Sequence, residues 1–380
     1  MGIIYLGPVD GSDMKGILRL LKEASNIEGP VMVHVLTHKG AGYLPAERHP
    51  ARFHGTEPFD IETGLPSKPR VKANYTDIFS TVMRKLGDRD EKVVAITAAM
   101  TDGTGLKRFH NMFPGRFFDV GIAEEHAVTF AAGLAAAGLK PIFAVYSSFL
   151  QRAYDQILHD VCIQNLPVVF AIDRAGLVGS DGETHQGIFD ISYLSAIPNM
   201  TIMAPKNKWE LSDMIKYAVD FPTPIAVRYP RGEAYDGLKE YRQPISAGKS
   251  EWIYRESEIA LVALGSMVKT AEKVHAALRE EGIPASLINA RFAKPLDTQM
   301  LMEAASKHTL VVTMEENVIN GGFGEHITRF YNEQGIYVNV LNIAIPDEYV
   351  EHGNVDILYH EVGIDADTIL KRIKEVYHPL

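Results

Sequence analysis

Apolar and polar positions follow two rhythms along this chain. Short, nearly continuous apolar runs recur at Val93–Thr97, Pro141–Tyr146, Pro167–Asp173, Ile259–Leu264 and Ala285–Asn289. Runs of that kind suit strands buried on both faces. Weaker runs at Thr201–Ala204, Ile225–Tyr229, Thr309–Thr313 and Val338–Asn342 read the same way. Between them, apolar residues three and four apart predict helices over Tyr75–Leu86, Glu124–Gly138, Arg152–Gln164, Val268–Glu281, Thr298–Ser306 and Gly324–Asn332. Alternation of this type predicts an α/β fold with two mostly parallel sheets, each covered by helices.

The start of the chain is different. Tyr5-Leu6 reads as a strand end, Gly7–Gly11 as a turn, Asp13–Ala24 as a helix and Val31–Leu36 as a buried strand. One such βαβ-like unit is too small to be a domain alone, so it reads as the tail of a domain whose front is absent. Leu44–Lys72 is rich in Pro, His and charge, and predicts an extended linker. Gly237–Ser250 breaks the later pattern. The expected division is a domain remnant over 1–45, a linker over 46–72, one α/β domain over 73–240 and a second over 250–380.

Charge and composition narrow the function classes. A net charge of −10 without a long basic block argues against a nucleic-acid surface. Cys162 is the single cysteine, which excludes an internal disulfide framework and fits a reducing cytoplasm. Its neighbours Val161 and Ile163 make it a buried structural thiol rather than a nucleophile. No apolar run is long enough to span a bilayer, and the N-terminus lacks a signal-peptide shape.

The chemistry concentrates at predicted strand ends. Glu124 and Glu125 open a helix of small residues, where a carboxylate gains from the helix dipole. The loop Asp173–Gly187 follows an apolar strand and carries Arg174, Asp181, His185 and four glycines. Polar, glycine-rich loops at strand ends commonly carry sites. Asp181 and His185 read there as an acid/base or substrate-orienting pair. Tyr146–Arg152 follows another strand, and Arg174 and Arg228 add cations at or just past strand ends, an arrangement suited to a phosphate or carboxylate. For each arginine alone, a structural ion pair is the simpler reading. Gly321-Gly322 before a helix reads as a tight turn, with an anion site as the alternative. No metal-ligand spacing, G-x-G-x-x-G or P-loop occurs.

Five strings occur in order: Gly7–Gly11, Gly121–His126, Tyr146–Asp155, Asp181–Gly187 and Val227–Gly232. Together they resemble the deoxyxylulose-phosphate synthase family of transketolase-like thiamine diphosphate enzymes, over essentially the whole chain. Val312–Asn317 and Asn342–Asp347 agree with that family's C-terminal domain. The resemblance implies that Glu124 hydrogen-bonds the aminopyrimidine N1′ of thiamine diphosphate and that Phe149 stacks on the pyrimidine. It places Tyr146, Arg152, Asp181 and His185 in the substrate pocket, and Arg174 with Arg228 on the acceptor's phosphate. The implied reaction joins pyruvate to D-glyceraldehyde 3-phosphate with loss of carbon dioxide, in isoprenoid, thiamine and pyridoxal precursor synthesis. A homodimer is implied as well.

Two departures qualify this. The family's Gly-Asp-Gly and distant Asn, which hold magnesium and the diphosphate, have no match here, so only the pyrimidine half of the cofactor site is expected. Ser12 stands where the family has a His, and a hydroxyl cannot do an imidazole's proton transfer. The expected role is therefore the pyrimidine-binding and C-terminal portion of a synthase, inactive without a separate diphosphate-binding chain. The alternatives are a split transketolase-type or 2-oxo acid dehydrogenase beta-like subunit, and a non-catalytic remnant.

Overall fold

The computed structural model describes residues 2–56, 58–67 and 70–378; Glu57, Lys68 and Pro69 of the expected linker lie outside the described residues. The chain forms two compact units, Met1–Val71 and Lys72–Leu380.

In the first unit β1 (Ile4–Asp10) and β2 (Val31–Leu36) pair in parallel, joined through α1 (Met14–Ala24). The Asp13 side chain accepts the Gly16 N–H at 3.0 Å and starts that helix. β1 runs on through the Gly7–Asp10 stretch that reads as a turn, because Val9 and Asp10 resume pairing with Val35 and Leu36 after a register shift. At and within the expected linker the described residues include a short helix, α2 (Leu44–Arg48), and a cluster of the Tyr43, Phe53 and Phe59 rings, whose centroids lie 5.1–5.9 Å apart.

The second unit contains a seven-stranded and a five-stranded sheet. The first is built from β3 (Val93–Thr97), β4 (Phe117–Asp119), β5 (Lys140–Tyr146), β6 (Val169–Asp173), β7 (Thr201–Met203) and β8 (Ile225–Arg228), with β12 (Phe292–Lys294) at one edge. Its order is β12-β7-β8-β6-β5-β3-β4, and all neighbours are parallel except β12 and β7. The second sheet has the order β14-β13-β10-β11-β9, from β9 (Glu251–Tyr254), β10 (Glu258–Ala263), β11 (Ala285–Asn289), β13 (His308–Val318) and β14 (Asn339–Ile345). Only β9 there is antiparallel to its neighbour. The α/β reading therefore holds. β12 follows β11 in the chain yet pairs in the other sheet, so the later block lends a strand to the earlier one.

α3 (Tyr75–Arg89), α4 (Lys107–Met112) and α5 (Glu124–Ala136) cover the first sheet. Of the helix expected over Arg152–Gln164, Tyr154–Gln156 is α-helical and runs on without a break as a π-helical segment, Ile157–Cys162, after a 3-10 turn over Gln151–Ala153 and a short helix over Ser147–Leu150. Its buried residues Ala153, Ile157 and Val161 are four apart, and wider winding keeps all three inward. A buried polar cluster ties the two sheets together. Lys206 contacts Glu251 at 2.5 Å and Glu210 at 3.1 Å, and Arg291 contacts Glu210 at 2.8 Å and Glu251 at 3.1 Å. Among the described residues, no helix is long and apolar enough to cross a membrane.

Candidate functional site

The carboxyl ends of β5, β6 and β8 lie side by side: Tyr146 is paired with Asp173, and Ile172 with Arg228. Parallel sheets bind ligands at such edges. The residue after β6, Arg174, takes a left-handed backbone with φ of 60°. That turn lays its guanidinium over the Tyr146 ring, 3.8 Å from the centroid. One of its nitrogens donates to the Gly103 carbonyl at 2.9 Å and lies 3.0 Å from the Asp173 carboxylate, out of hydrogen-bond alignment. Asp173 is fully buried. Burial raises its carboxyl above the ordinary range, against the pull of Arg174 and the Thr76 hydroxyl. Gly103 is needed for this approach, since a Cβ there would overlap the Tyr146 hydroxyl.

Tyr146 stacks on Phe149 with centroids 5.4 Å apart, and Phe149 meets the edge of His185 at 5.4 Å. Arg174, Tyr146, Phe149 and His185 thus form one contiguous row drawn from two loops. The His185 Nδ1 is 2.9 Å from the Thr184 hydroxyl. Asp181 is not bonded to His185 among the described residues; its carboxylate pairs with Arg231 at 2.6 Å.

Glu124 and Glu125 open α5 as expected, and they differ in environment. Glu124 is 3% exposed while Glu125 is 40% exposed. Arg152 bridges both, at 2.6 Å to Glu124 and 3.4 Å to Glu125. The buried carboxylate, the Phe149 ring and the unpartnered buried hydroxyls of Ser147 and Ser148 suit an aminopyrimidine, which presents both donors and acceptors on a flat ring. A metal ion fits less well: among the described residues, no group of three or more His, Cys, Asp or Glu is placed to hold one.

Arg228 does not reach this row. It is buried in a bidentate pair with Asp190, at 2.7 and 3.1 Å, and also donates to the Glu316 carbonyl at 3.1 Å. The cation that accompanies Asp181 is Arg231, three residues on and past Pro230, which the sequence reading missed. A signal was present: Arg228 ends an unbroken apolar strand, whereas Arg231 follows the proline that releases the chain into a loop. The Gly321-Gly322 turn is filled from within, since Glu315 accepts the N–H groups of Phe323 and Gly324 at 2.7 and 2.8 Å. Cys162 is buried, and burial pushes its thiol up to about 12, which leaves it unreactive. Ser12 donates through both its N–H and its hydroxyl to Asp10, at 2.8 and 2.7 Å.

Three family models match this chain. "Transketolase, pyrimidine binding domain" matches residues 71–236, "Transketolase, C-terminal domain" residues 248–369, and "1-deoxy-D-xylulose-5-phosphate synthase" residues 1–37. Curated relatives include the 1-deoxy-D-xylulose-5-phosphate synthase of Lachnoclostridium phytofermentans, 56% identical over 98% of this chain, and that of Caldanaerobacter subterraneus, 50% identical over 99%. The chain spans only 60% and 61% of the lengths of those two. Among solved structures, "Split gene transketolase, inactive beta4 tetramer" matches 80% of this chain and 98% of its own, with a TM-score of 0.71 and 26% identity. Campylobacter jejuni transketolase matches 98% of this chain and 67% of its own, with a TM-score of 0.68; at 16% identity it shows a shared fold.

Proposed function

Because this chain belongs to the 1-deoxy-D-xylulose-5-phosphate synthase family of transketolase-like thiamine diphosphate enzymes, we propose that it supplies the pyrimidine-binding and C-terminal parts of such a synthase. The observation that carries the reading is the row of Arg174, Tyr146, Phe149 and His185 at the sheet's carboxyl edge, with buried Glu124 opening α5. Bound thiamine diphosphate supplies the electron sink that decarboxylation of a 2-oxo acid requires. Glu124 offers its carboxylate to the aminopyrimidine N1′ and sets the ring's tautomer. Phe149 presents a face to the pyrimidine. Tyr146 and Arg152 line the pocket beside it, and Arg152 contributes charge for the pyruvate carboxylate.

Arg174 and Arg231 hold the phosphate of D-glyceraldehyde 3-phosphate. Among the described residues, the hydrogen bonds of each use Nη1, and a guanidinium offers further N–H groups in a fork suited to bidentate contact. The commitment of Arg228 to Asp190 supports giving this role to Arg231. His185 and Asp181 orient the acceptor, and His185 is the group suited to moving a proton on its carbonyl oxygen. The magnesium and diphosphate ligands come from a second polypeptide or segment. The likeness to a split-gene transketolase favours such a division. We place the complex in the cytoplasm as a homodimer of this chain with its complement, acting in isoprenoid precursor synthesis.

The test mixes this chain with the part of the Lachnoclostridium relative that it does not span. Condensation of pyruvate with glyceraldehyde 3-phosphate is expected only in the mixture. A mixture that assembles, binds thiamine diphosphate and still gives no product contradicts the proposal.

A further inference from the structure

The loop between Asp173 and Asp190 carries three of the proposed site residues, and its tip is exposed. Residues 180, 181, 183 and 184 are exposed, while 175–179 and 186–188 are buried. The stem closes on itself through paired bonds between Gly176 and Gly187, at 2.6 and 2.8 Å. The Ala175 N–H donates to the Tyr229 carbonyl at 3.1 Å, and the N–H groups of His185 and Gln186 turn back to the Gly182 carbonyl at 2.9 and 3.2 Å. Further bonds tie the loop to the region of the five-stranded sheet, several of them through one side chain.

That side chain is Gln186, which is 1% exposed. Its amide oxygen accepts the Val178 N–H at 2.7 Å. Its amide nitrogen donates to the carbonyls of Glu351 at 3.0 Å and Val350 at 3.4 Å. Beside it, the Gly353 N–H donates to the Gly179 carbonyl at 3.3 Å. Glu316, at the far end of β13, accepts the Leu177 N–H at 2.7 Å and the Ser266 hydroxyl at 2.5 Å. A Cβ on Gly176 would overlap the Glu316 carboxylate, so loop and strand are packed without slack. The contacts continue outward. The Val178 carbonyl accepts from Arg231 at 3.4 Å, and Arg231 holds Asp181 at 2.6 Å. A contiguous path therefore runs from 350–351 through Gln186, Val178 and Arg231 to Asp181.

We propose that Gln186 is a positioning residue: it fixes Val178, and through it the Arg231–Asp181 pair, against the 350–353 segment of the C-terminal region. The inference rests on the function proposed above only for what Arg231 binds. It gives the C-terminal region a task in acceptor recognition that does not require any of its residues to touch substrate. An amide is the side chain this task needs. It accepts on one side and donates on the other, which neither a carboxylate nor an apolar group of the same size does. Buried groups left without those partners are costly, so the loop moves when Gln186 is changed.

The experiment compares the full chain with Gln186→Met, which keeps size without polarity, and Gln186→Asn, which is too short to reach both sides. Amide exchange of Val178, Gly182 and His185 is expected to quicken about 10-fold in both variants, while the β6 amides of Val169–Ile172 and the urea midpoint stay near wild type. Glycerol 3-phosphate, a non-reacting analogue of the acceptor, is then titrated by ³¹P NMR, with about a 10-fold rise in Kd expected. Unchanged exchange at Val178, or an equal rise throughout β6, overturns the proposal. If Gln186→Met does not fold, Gln186→Asn decides by the same criteria. Wild type that ignores glycerol 3-phosphate counts against the phosphate reading of Arg231, and the Val178 exchange still decides the role of Gln186.

Discussion

Asp190→Asn separates the two arginines of the Val227–Gly232 string by what each is for. Arg228 is buried and gives two bonds to Asp190 and one to the Glu316 carbonyl. The substitution keeps the shape of the partner and removes its charge, leaving a cation in a site closed to water. Breaking one side of a buried pair costs about 3–5 kcal/mol. The Asn oxygen still accepts one of the two bonds, so the lower end, about 3 kcal/mol, is expected. That is a large part of the 5–15 kcal/mol typical of a folded domain. Arg231→Ala removes an ion pair whose two side chains are 36% and 43% exposed, and such pairs contribute at most about 1 kcal/mol. Urea unfolding followed by tryptophan fluorescence measures both losses, and ³¹P titration with glycerol 3-phosphate measures binding. The expected pattern is a large stability loss in Asp190→Asn and a binding loss without it in Arg231→Ala. If Arg231→Ala destabilises as much as Asp190→Asn, or Asp190→Asn costs less than about 1 kcal/mol, the division of labour argued here is wrong.

Gly103→Ala displaces the Tyr146 ring from under Arg174, and the lost cation–π contact, about 0.5–2 kcal/mol, should appear as a rise in the Kd for glycerol 3-phosphate of up to about 30-fold; an unchanged Kd would show that this contact does not hold the arginine. Burial raises the Glu315 carboxyl from an ordinary 4.5 to about 7, so the folded state binds the extra proton and wild type loses stability as pH rises between those values. Moving one carboxyl that far corresponds to about 3 kcal/mol, and Glu315→Gln should remove most of the slope; urea midpoints at pH 5 and pH 8 that fall equally in both proteins contradict this. A homodimer is expected because Ile122 and Ile163, near the two ends of the α5 and Ile157–Cys162 region, are 77% and 65% exposed; light scattering showing only monomer across the micromolar range tells against it.

The sheets were legible because their strands are apolar throughout, as in Val93–Thr97 and Ala285–Asn289, whose bounds match the structure residue for residue. β13 shows where that logic stops. It reads as ending at Thr313 because Glu315, Glu316 and Asn317 follow, yet it continues to Val318 with all three buried. The two carboxylates are met by partners that the strand pattern does not show: the N–H groups opening the next helix for Glu315, and Leu177 and Ser266, far off in sequence, for Glu316. The helix Lys208–Ala218 escaped because its apolar face is interrupted by Glu210, buried against Arg291 and Lys206. The site followed the same rule. Glu124, Tyr146, Phe149 and Arg174 stand at element ends that periodicity locates. Choosing between Arg228 and Arg231 needed the buried Asp190, and Gln186 gained meaning only when residues 350–351 arrived beside it.

In the function proposed above, the buried carboxylate Glu124, and not its exposed neighbour Glu125, serves the pyrimidine of the cofactor. Adjacent helical positions do not share a face, so the two should separate cleanly. The direct measurement is deuterium exchange at C2 of thiamine diphosphate, followed by NMR in the mixture of this chain with the complementary part of the Lachnoclostridium relative. Glu124→Gln should abolish that exchange while Glu125→Gln keeps most of it. Equal loss in both variants, or full exchange in Glu124→Gln, contradicts the assignment.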